Sequence, residues 1–378
     1  MKKSGKKTNL WKLSWRIAVC LLLLGWIFQA IFYNEGRIRW ERAGHDWISL
    51  TRWERLEVAW KYGPTGLLET LRSMDLKYLL LSVVLMGVIL LLGVVRWQMI
   101  LRVHGLNVPF RRTAQISLVG HFFNSFLLGS IGGDVLKAYY VARETHHKKT
   151  EAVVTVAVDR IIGLFSMLIL ACAMLLPNRD LLAVMNPKLK PVIWLILAMT
   201  GGCALFIFLS FWGGVSKGVP KAREWMRRLP KGDMLERSIE AFREFGRDKT
   251  FFLRVLPISM LANVVCIFHF LTLIWGFHET APTKAISAIV PIVTCISTLP
   301  ITPSGLGVRE NLYVWFLATP GIQIDYAEAL LISLIGFGTS LFWSAVGGLV
   351  YVGVRDREHL AEIADSEGEE PAAGTLGV

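Results

Sequence analysis

Two short stretches of this sequence place glycines next to charged residues inside apolar surroundings. In the first stretch, Gly132, Gly133 and Asp134 are followed by Lys137. Glycine permits backbone conformations that other residues resist, and a helix that begins here presents free N–H groups and a partial positive charge. Such a terminus suits a phosphate or a carboxylate, and Lys137 adds a full positive charge. The stretch predicts an anion site; the alternative is that Asp134 only caps its helix while Lys137 extends toward the membrane surface.

The second stretch repeats this logic nearer the C-terminus. Gly305 and Gly307 precede a short helix whose first turn carries Arg309 and Glu310. The planar guanidinium group of arginine matches phosphate geometry, so backbone N–H groups and Arg309 could converge on one anion. Glu310 is also favoured by the helix dipole, and its alternative role is to stabilise the helix.

Asp159 and Arg160 form a third charged motif within an apolar run. An intramembrane charge costs about 3 kcal/mol or more when it is unpaired, and adjacent helical residues point in different directions. We expect Asp159 to face a cavity beside Lys137 and Arg160 to reach a lipid phosphate or a hairpin carbonyl; a structural ion-pair network is the alternative. His121 and Asn124, three residues apart on one helix face, are expected to be interhelical hydrogen-bond partners.

The composition places these motifs in a membrane protein. Hydrophobic residues make up 53% and charged residues 19% of the 378 residues, and the mean hydropathy is +0.48. These values are typical of a polytopic membrane protein. The net charge is +12, and the basic residues lie in short clusters between apolar runs, which argues against nucleic-acid binding. The five cysteines lack close spacing and no zinc or P-loop motif occurs, so we expect no metal and no other cofactor.

Apolar runs and basic loops predict the topology. An all-α helical bundle of about six full spans would occupy a transmembrane domain at residues 17–354, because about 20 apolar residues cross a bilayer. The basic N-terminus (1–16), the basic loop (213–250) and the C-terminus should be cytoplasmic. The acidic segment 355–378 is expected to be a disordered tail. The predicted spans are residues 17–33, 78–95, 152–176, 192–212, 251–277 and 327–351.

Two further apolar runs, residues 113–128 and 285–299, are too short to cross easily. Each leads into one of the glycine-rich stretches, so we interpret both as arms of re-entrant half-helix hairpins that enter from opposite faces. Such a pair is typical of an inverted-repeat transporter with its site near the bilayer midplane. A small-residue face for close helix packing follows in the last span, at Gly336, Ser340, Ser344 and Gly348.

Two amphipathic patterns lie outside the spans. The external loop 34–77 carries tryptophans at intervals of seven, six and seven residues, which predicts one interfacial helix with all four on one face. These are Trp40, Trp47, Trp53 and Trp60. Within the basic loop, Leu235, Ile239, Phe242 and Phe245 recur at helical spacing, which predicts a helix lying on anionic lipid.

Three motifs in this order resemble the membrane domain of the lysylphosphatidylglycerol synthase/flippase family: residues 132–137, 159–164 and 305–310. In that family the base after Gly-Gly-Asp is usually arginine. This chain has Lys137, which argues against bidentate phosphate recognition there and leaves charge recognition in place. The resemblance implies lipid translocation or lipid handling. We expect the chain to lack the aminoacyl-transfer domain of the bifunctional members and to be no enzyme.

The expected function is that of a flippase-like transporter in the plasma (inner) membrane, multi-pass with both termini cytoplasmic. It would move a phosphate-bearing lipid, either a phospholipid or a polyprenyl-phosphate-linked lipid, between leaflets. Membrane lipids are the expected partners; a homo-oligomer or an envelope-biosynthesis partner stays open. The alternatives are a glycosyltransferase-like membrane enzyme acting on a lipid-phosphate, with Asp134 and Glu310 as candidate carboxylates, and a non-transporting subunit of an envelope assembly.

Overall fold

The fold is helical throughout the part of the chain that a computed structural model describes. That part comprises residues 29, 32–33, 35–37, 39–41, 43–126, 132–145, 148–175, 178, 190–211, 232–248, 250–299, 305, 307–319 and 321–368, and no strand occurs among them. In chain order the helices are α1 (Arg52–Arg72), α2 (Leu76–Val103), α3 (Phe110–Phe126), α4 (Gly132–Glu144), α5 (Lys149–Leu175), α6 (Lys190–Phe211), α7 (Gly232–Arg247), α8 (Phe251–Gly276), α9 (Thr283–Ser297), α10 (Val308–Leu317) and α11 (Tyr326–Gly368).

Five of these helices are long and apolar enough to cross a membrane. They are α2, α5, α8, residues Pro191–Ser210 of α6 and residues Tyr326–Gly353 of α11. Each coincides with one of the predicted spans, so a polytopic helical membrane protein is confirmed. The predicted first span, residues 17–33, lies almost entirely outside the described residues, as does the basic N-terminus.

The chain repeats one order of helices: a long span, two short helices and another long span. In α2–α5 the short helices have 17 and 13 residues, and in α8–α11 they have 15 and 10. At 1.5 Å per residue all four fall short of the ~30 Å hydrocarbon core, as half-helices of a hairpin must.

Helix packing relates the two repeats in a reciprocal way. The first spans, α2 and α8, pack against each other. The first short helix of each repeat packs along the last span of the other, α3 on α11 and α9 on α5, whereas α4 and α10 pack on the last span of their own repeat. Two repeats related by a two-fold axis must make reciprocal contacts of this kind. The packing of α2–α5 against α8–α11 therefore supports the predicted inverted repeat.

Small residues bring α11 close to α3. A Cβ atom added to Gly347 would lie 2.2 Å from the carbonyl oxygen of Leu118, so the two backbones nearly touch. The Ser344 hydroxyl donates a hydrogen bond to the His121 carbonyl at 3.2 Å. The predicted small-residue face is therefore confirmed for Ser340, Ser344 and Gly348, which meet α3. Gly336 instead faces Phe270 of α8.

The prediction that one interfacial helix carries all four tryptophans is wrong. A capping box formed by Thr51 and Glu54 begins α1 at Arg52, so only Trp53 and Trp60 lie on that helix, with 81% and 56% of their surface exposed. Trp47 lies in the preceding turn, buried edge-to-face against Tyr33. Trp40 belongs to an earlier helical segment. The interruption at residues 43–51 prevents a single face from forming.

The amphipathic helix α7 is covered by protein, so the prediction that it lies on lipid is wrong for the described side chains. α7 packs against α5 and α6, and Phe245 is fully buried between His104 and Phe251. Phe242 lies partly buried beside Phe206 of α6. The side chains of Leu235 and Ile239 lie outside the described residues.

The last helix also departs from expectation. α11 continues to Gly368, whereas a disordered tail was expected over residues 355–378. Residues 355–368 contain glutamate, arginine, leucine and alanine, which are strong helix formers, so a helix begun in the span can continue through them. Residues 369–378 lie outside the described part.

Candidate functional site

The hairpin of α3 and α4 is closed by two glycines and an asparagine. A Cβ atom added to Gly133 would lie 1.8 Å from the carbonyl oxygen of Gly120, so only glycine permits this approach. Asn124 accepts a hydrogen bond from the Gly133 amide at 2.9 Å and donates one to Asp134 Oδ1 at 3.3 Å. Because α4 begins at Gly132, Asp134 lies in its first turn rather than at the predicted N-cap position. These bonds fix the start of the half-helix.

Asp159 lies beside Lys137, the position predicted for it, and its ion pairs also fit the alternative of a structural network. The distance from Lys137 Nζ to Asp159 Oδ2 is 3.9 Å, and the Lys137 ammonium also lies 4.5 Å from the ring centroid of Trp97. The closer partner of Asp159 is Arg96 of α2, whose Nε donates a 2.7 Å hydrogen bond to Oδ1. Asp159 is buried, so this carboxylate joins α2, α4 and α5 in the interior of the bundle.

Arg160 binds the carboxylate of Asp134 rather than the predicted hairpin carbonyl, and its contact to a lipid phosphate stays a prediction. Its Nε and Nη2 atoms each donate a 2.8 Å hydrogen bond to Asp134, one to each carboxylate oxygen. This bidentate geometry is the strongest that an arginine and a carboxylate can form. The Asp134 side chain is largely buried, whereas the Arg160 side chain remains 53% exposed. The pair attaches the start of α4 to α5.

Together these residues form what we call the first charge cluster, which carries a formal excess of one positive charge. Its cations are Arg96, Lys137 and Arg160, and its anions are Asp134 and Asp159. Charges in an apolar interior are tolerated when they are paired, and an excess charge favours a bound counter-ion. Lys137 is the cation with the longest ion pair, beyond hydrogen-bond distance, so it is the one best placed to bind an added anion.

The start of α10 carries the second charge cluster, formed by Arg309 and Glu310. Gly307 has a φ of 82°, and its amide donates a 2.6 Å hydrogen bond to Glu310 Oε2. Glu310 is fully buried and also binds Arg309 Nη2, so it stabilises the helix terminus as the alternative interpretation foresaw. Arg309 further approaches Ser333 Oγ at 3.4 Å and lies over the Phe337 ring at 4.7 Å.

The glycine before this cluster is equally constrained. Gly305 has a φ of 71°, and a Cβ atom there would lie 2.9 Å from the carbonyl oxygen of Ser297 at the end of α9. Asn311 donates a 2.6 Å hydrogen bond to the Gly307 carbonyl. The start of α10 is thus fixed by glycine conformation and by two side chains of its own helix.

The interhelical roles predicted for His121 and Asn124 are confirmed. His121 Nε2 lies 3.2 Å from the carbonyl oxygen and 3.3 Å from the hydroxyl of Ser340 in α11. Asn124 connects α3 with α4, as described above. The sequence analysis did not identify Arg96 as a site residue, because the predicted span ended at residue 95. Four of the five residues that follow it are apolar and were the signal that the span continues: Trp97, Met99, Ile100 and Leu101.

All ten predicted site residues lie within the described part of the chain, in two groups. Gly132, Gly133, Asp134, Lys137, Asp159 and Arg160 surround the start of α4, and Gly305, Gly307, Arg309 and Glu310 surround the start of α10. Among the described residues, no group of three or more His, Cys, Asp or Glu side chains could hold a metal ion. The arrangement suits electrostatic binding of an anionic group at two half-helix termini.

Comparison with known proteins gives one family and two relatives. A family model described as "Lysylphosphatidylglycerol synthase TM region" matches residues 53–347, a range that includes both charge clusters. Two relatives from Methanothermobacter thermautotrophicus are each named "UPF0104 membrane protein". The first is 24% identical over 296 residues, which cover 73% of this chain and 86% of the relative. The second is 25% identical over 285 residues, which cover 70% and 80%.

Proposed function

This chain belongs to the family of the lysylphosphatidylglycerol synthase transmembrane region, a membrane family related to lipid handling, and from this premise we propose that it moves a phosphate-bearing lipid between the leaflets of the plasma membrane. The substrate would be a phospholipid or a polyprenyl-phosphate-linked lipid. The basic loop and both termini would face the cytoplasm, as the positive-inside rule favours.

The observation that carries this proposal is the excess positive charge buried at the start of α4. Arg96 and Arg160 are each held by a close carboxylate, whereas Lys137 has a 3.9 Å ion pair and an aromatic face. An incoming phosphate would neutralise the excess charge and would add hydrogen bonds that Lys137 lacks at this distance. The half-helix terminus contributes its partial positive charge to the same anion.

The second charge cluster supplies the other half of the mechanism. Arg309 shares its guanidinium group between Glu310 and a long contact to Ser333, so part of its hydrogen-bonding capacity can turn to a phosphate. Because the repeats exchange their first short helices, a movement of one repeat against the other would change the access to both half-helix termini. The headgroup would pass between them while the acyl chains stay in the bilayer.

A translocation assay with purified full-length protein tests the proposal. Proteoliposomes would carry a trace of fluorescent phosphatidylglycerol, and the accessibility of the fluorophore to an added quencher would report the transfer rate. We expect Lys137→Gln and Arg309→Gln each to slow the transfer at least tenfold, which corresponds to about 1.4 kcal/mol of lost stabilisation.

The matched control is Arg247→Gln, which makes the same charge change on the exposed part of α7, where Arg247 pairs with Glu240. It should transfer lipid at the wild-type rate. If wild-type protein transfers lipid no faster than empty liposomes, the proposed function is wrong. If all three variants match the wild type, the transport site has been assigned to the wrong residues.

A further inference from the structure

A cavity separate from both charge clusters lies where α2 ends and α8 begins. Its volume is about 270 Å³, many times the ~30 Å³ that one water molecule occupies in the liquid. Three charged residues line it: Arg102 near the end of α2, Asp248 in the turn before α8, and Arg254 in the first turn of α8. It therefore has room for a phosphate group together with the groups esterified to it.

The charge of this cavity favours an anion. Arg102 is exposed, and within the described part of the chain its guanidinium group has no ion-pair partner. Arg254 lies 3.9 Å from Asp248 Oδ2 and keeps 63% of its side chain exposed. The other carboxylate oxygen of Asp248, Oδ1, already accepts hydrogen bonds from the amide and the hydroxyl of Thr250. Two arginines against one carboxylate leave an excess positive charge.

The remaining wall of the cavity is apolar, which indicates the kind of anion. Met99 and Val103 of α2 face Phe251 and Val255 of α8 across it. Leu253, on the same turn of α8 as Arg254, is 76% exposed and lies in a helix that is apolar enough to span the membrane. A free phosphate would use the arginines alone, whereas a lipid would place its phosphate on the arginines and its glycerol and first methylenes along the apolar wall.

We propose that this cavity binds the phosphate of an anionic membrane lipid, at a site distinct from the two hairpin termini. The lipid would sit between the end of α2 and the turn that connects α7 to α8. Since α2 and α8 are the pair of spans that pack together between the two repeats, a bound lipid would bridge the repeats at this end of the bundle.

Native mass spectrometry of the full-length protein, titrated with short-chain phosphatidylglycerol in detergent, tests this proposal. We expect Arg102→Gln and Arg254→Gln each to raise the concentration for half-occupancy about tenfold. Asp248→Asn should lower that concentration, because asparagine still accepts the hydrogen bonds of Thr250 and no longer repels the phosphate. Arg247→Gln, with the same charge change outside the cavity, should behave as wild type.

Three results would overturn the proposal. One is equal binding by Arg254→Gln and Arg247→Gln. Another is equal affinity for phosphatidylcholine, whose headgroup is neutral overall. The third is inorganic phosphate binding as tightly as the lipid, which would mean that the apolar wall contributes nothing. Because the test measures binding at residues that the transport proposal does not use, failure of lipid transfer would leave this result intact, and failure here would leave the transport proposal intact.

Discussion

The two half-helix termini have similar sequences of glycines and charges but different ways of holding those charges. At the start of α4, every ion pair crosses to another helix: Arg160 of α5 holds Asp134, and Arg96 of α2 holds Asp159. At the start of α10, Arg309 pairs with its own neighbour, Glu310, which also closes the turn at Gly307. The ion pairs of the first cluster thus connect three helices, whereas the ion pair of the second lies within one helix.

The difference also concerns net charge. The first cluster has one positive charge in excess, while Arg309 and Glu310 balance each other. In the local pair, Arg309 can turn toward a ligand without separating helices, while Glu310 keeps the hydrogen bond from the Gly307 amide. An interhelical network cannot lose one member without leaving a buried charge unpaired. We infer that the first terminus is the rigid one and that the second is the one that can adapt.

The largest effect expected from this comparison concerns closure of the first hairpin. Gly133→Ala would place a methyl group 1.8 Å from the Gly120 carbonyl, a distance that requires the helices to separate. We expect a loss of folding stability of at least about 4 kcal/mol, seen as aggregation in size-exclusion chromatography or a large fall in the melting midpoint. Gly93→Ala on α2 is the matched control, because nothing lies within 4 Å of its added Cβ. A stable Gly133→Ala protein would show that the two arms are not in close contact.

The next prediction compares the stability lost when the interhelical network at the start of α4 and the ion pair at the start of α10 each lose a carboxylate. Asp159→Asn leaves Arg96 and Lys137 without their shared carboxylate in a buried position, which should cost about 3–5 kcal/mol of stability. Glu310→Gln keeps an oxygen for the Gly307 amide and leaves one cation, Arg309, which still contacts Ser333 and the Phe337 ring, so a smaller loss of about 1–2 kcal/mol is expected. Thermal unfolding in detergent measures both.

A second substitution checks the cause of that loss. Replacing Lys137 by methionine in the Asp159→Asn background removes the repulsion between two buried cations, so part of the lost stability should return. Equal losses for Asp159→Asn and Glu310→Gln would contradict the distinction between a rigid and an adaptable terminus.

Much of the first terminus could be predicted from the sequence. A short apolar run before Gly132 indicated a half-helix, and the high cost of intramembrane charge predicted that Asp159 needs a partner from another element, which Lys137 partly supplies. The identity of its main partner could not be predicted in the same way, since the contact to Arg96 depends on how α2 packs against α5. The mostly apolar residues after Arg96 indicated only that Arg96 lies within the span.

Amphipathic patterns were less informative than the spans. The spacing of Phe242 and Phe245 correctly indicated a helix with one apolar face, but periodicity does not say whether lipid or protein covers that face. Here α5 and α6 cover it. The prediction from the four tryptophans was wrong for another reason. Their regular spacing suggested one continuous helix, whereas the cap at Thr51 begins a new helix and divides the segment.

A smaller effect is expected at the tip of the second hairpin. Gly305→Ala would strain a residue with a φ of 71° and would bring Cβ to 2.9 Å from the Ser297 carbonyl, so a loss of about 1–3 kcal/mol is expected. Gly321→Ala separates the two causes, because Gly321 has a φ of 108° and open space around its Cβ position. Both melting midpoints should fall, with Gly305→Ala lower. If Gly305→Ala equals Gly133→Ala in its effect, the second terminus is as rigid as the first.

The smallest effect concerns the histidines at the ends of the two first spans, His104 after α2 and His278 after α8. Burial lowers the pKa of His104, and Lys148 lowers it further. The charges of Glu244 and Glu151 raise it by less, so the pKa lies below its usual value. A histidine with a depressed folded pKa favours the neutral form, so its contribution is complete above the unfolded pKa of about 6.5 and is lost as the pH falls toward the folded value.

We therefore expect the melting midpoint to fall between pH 8 and pH 5.5, and His104→Gln to reduce that fall. His278 is exposed, so His278→Gln is the matched control for the loss of a histidine at the end of a first span. If His104→Gln and the wild type lose stability equally on acidification, proton uptake at this histidine does not oppose folding.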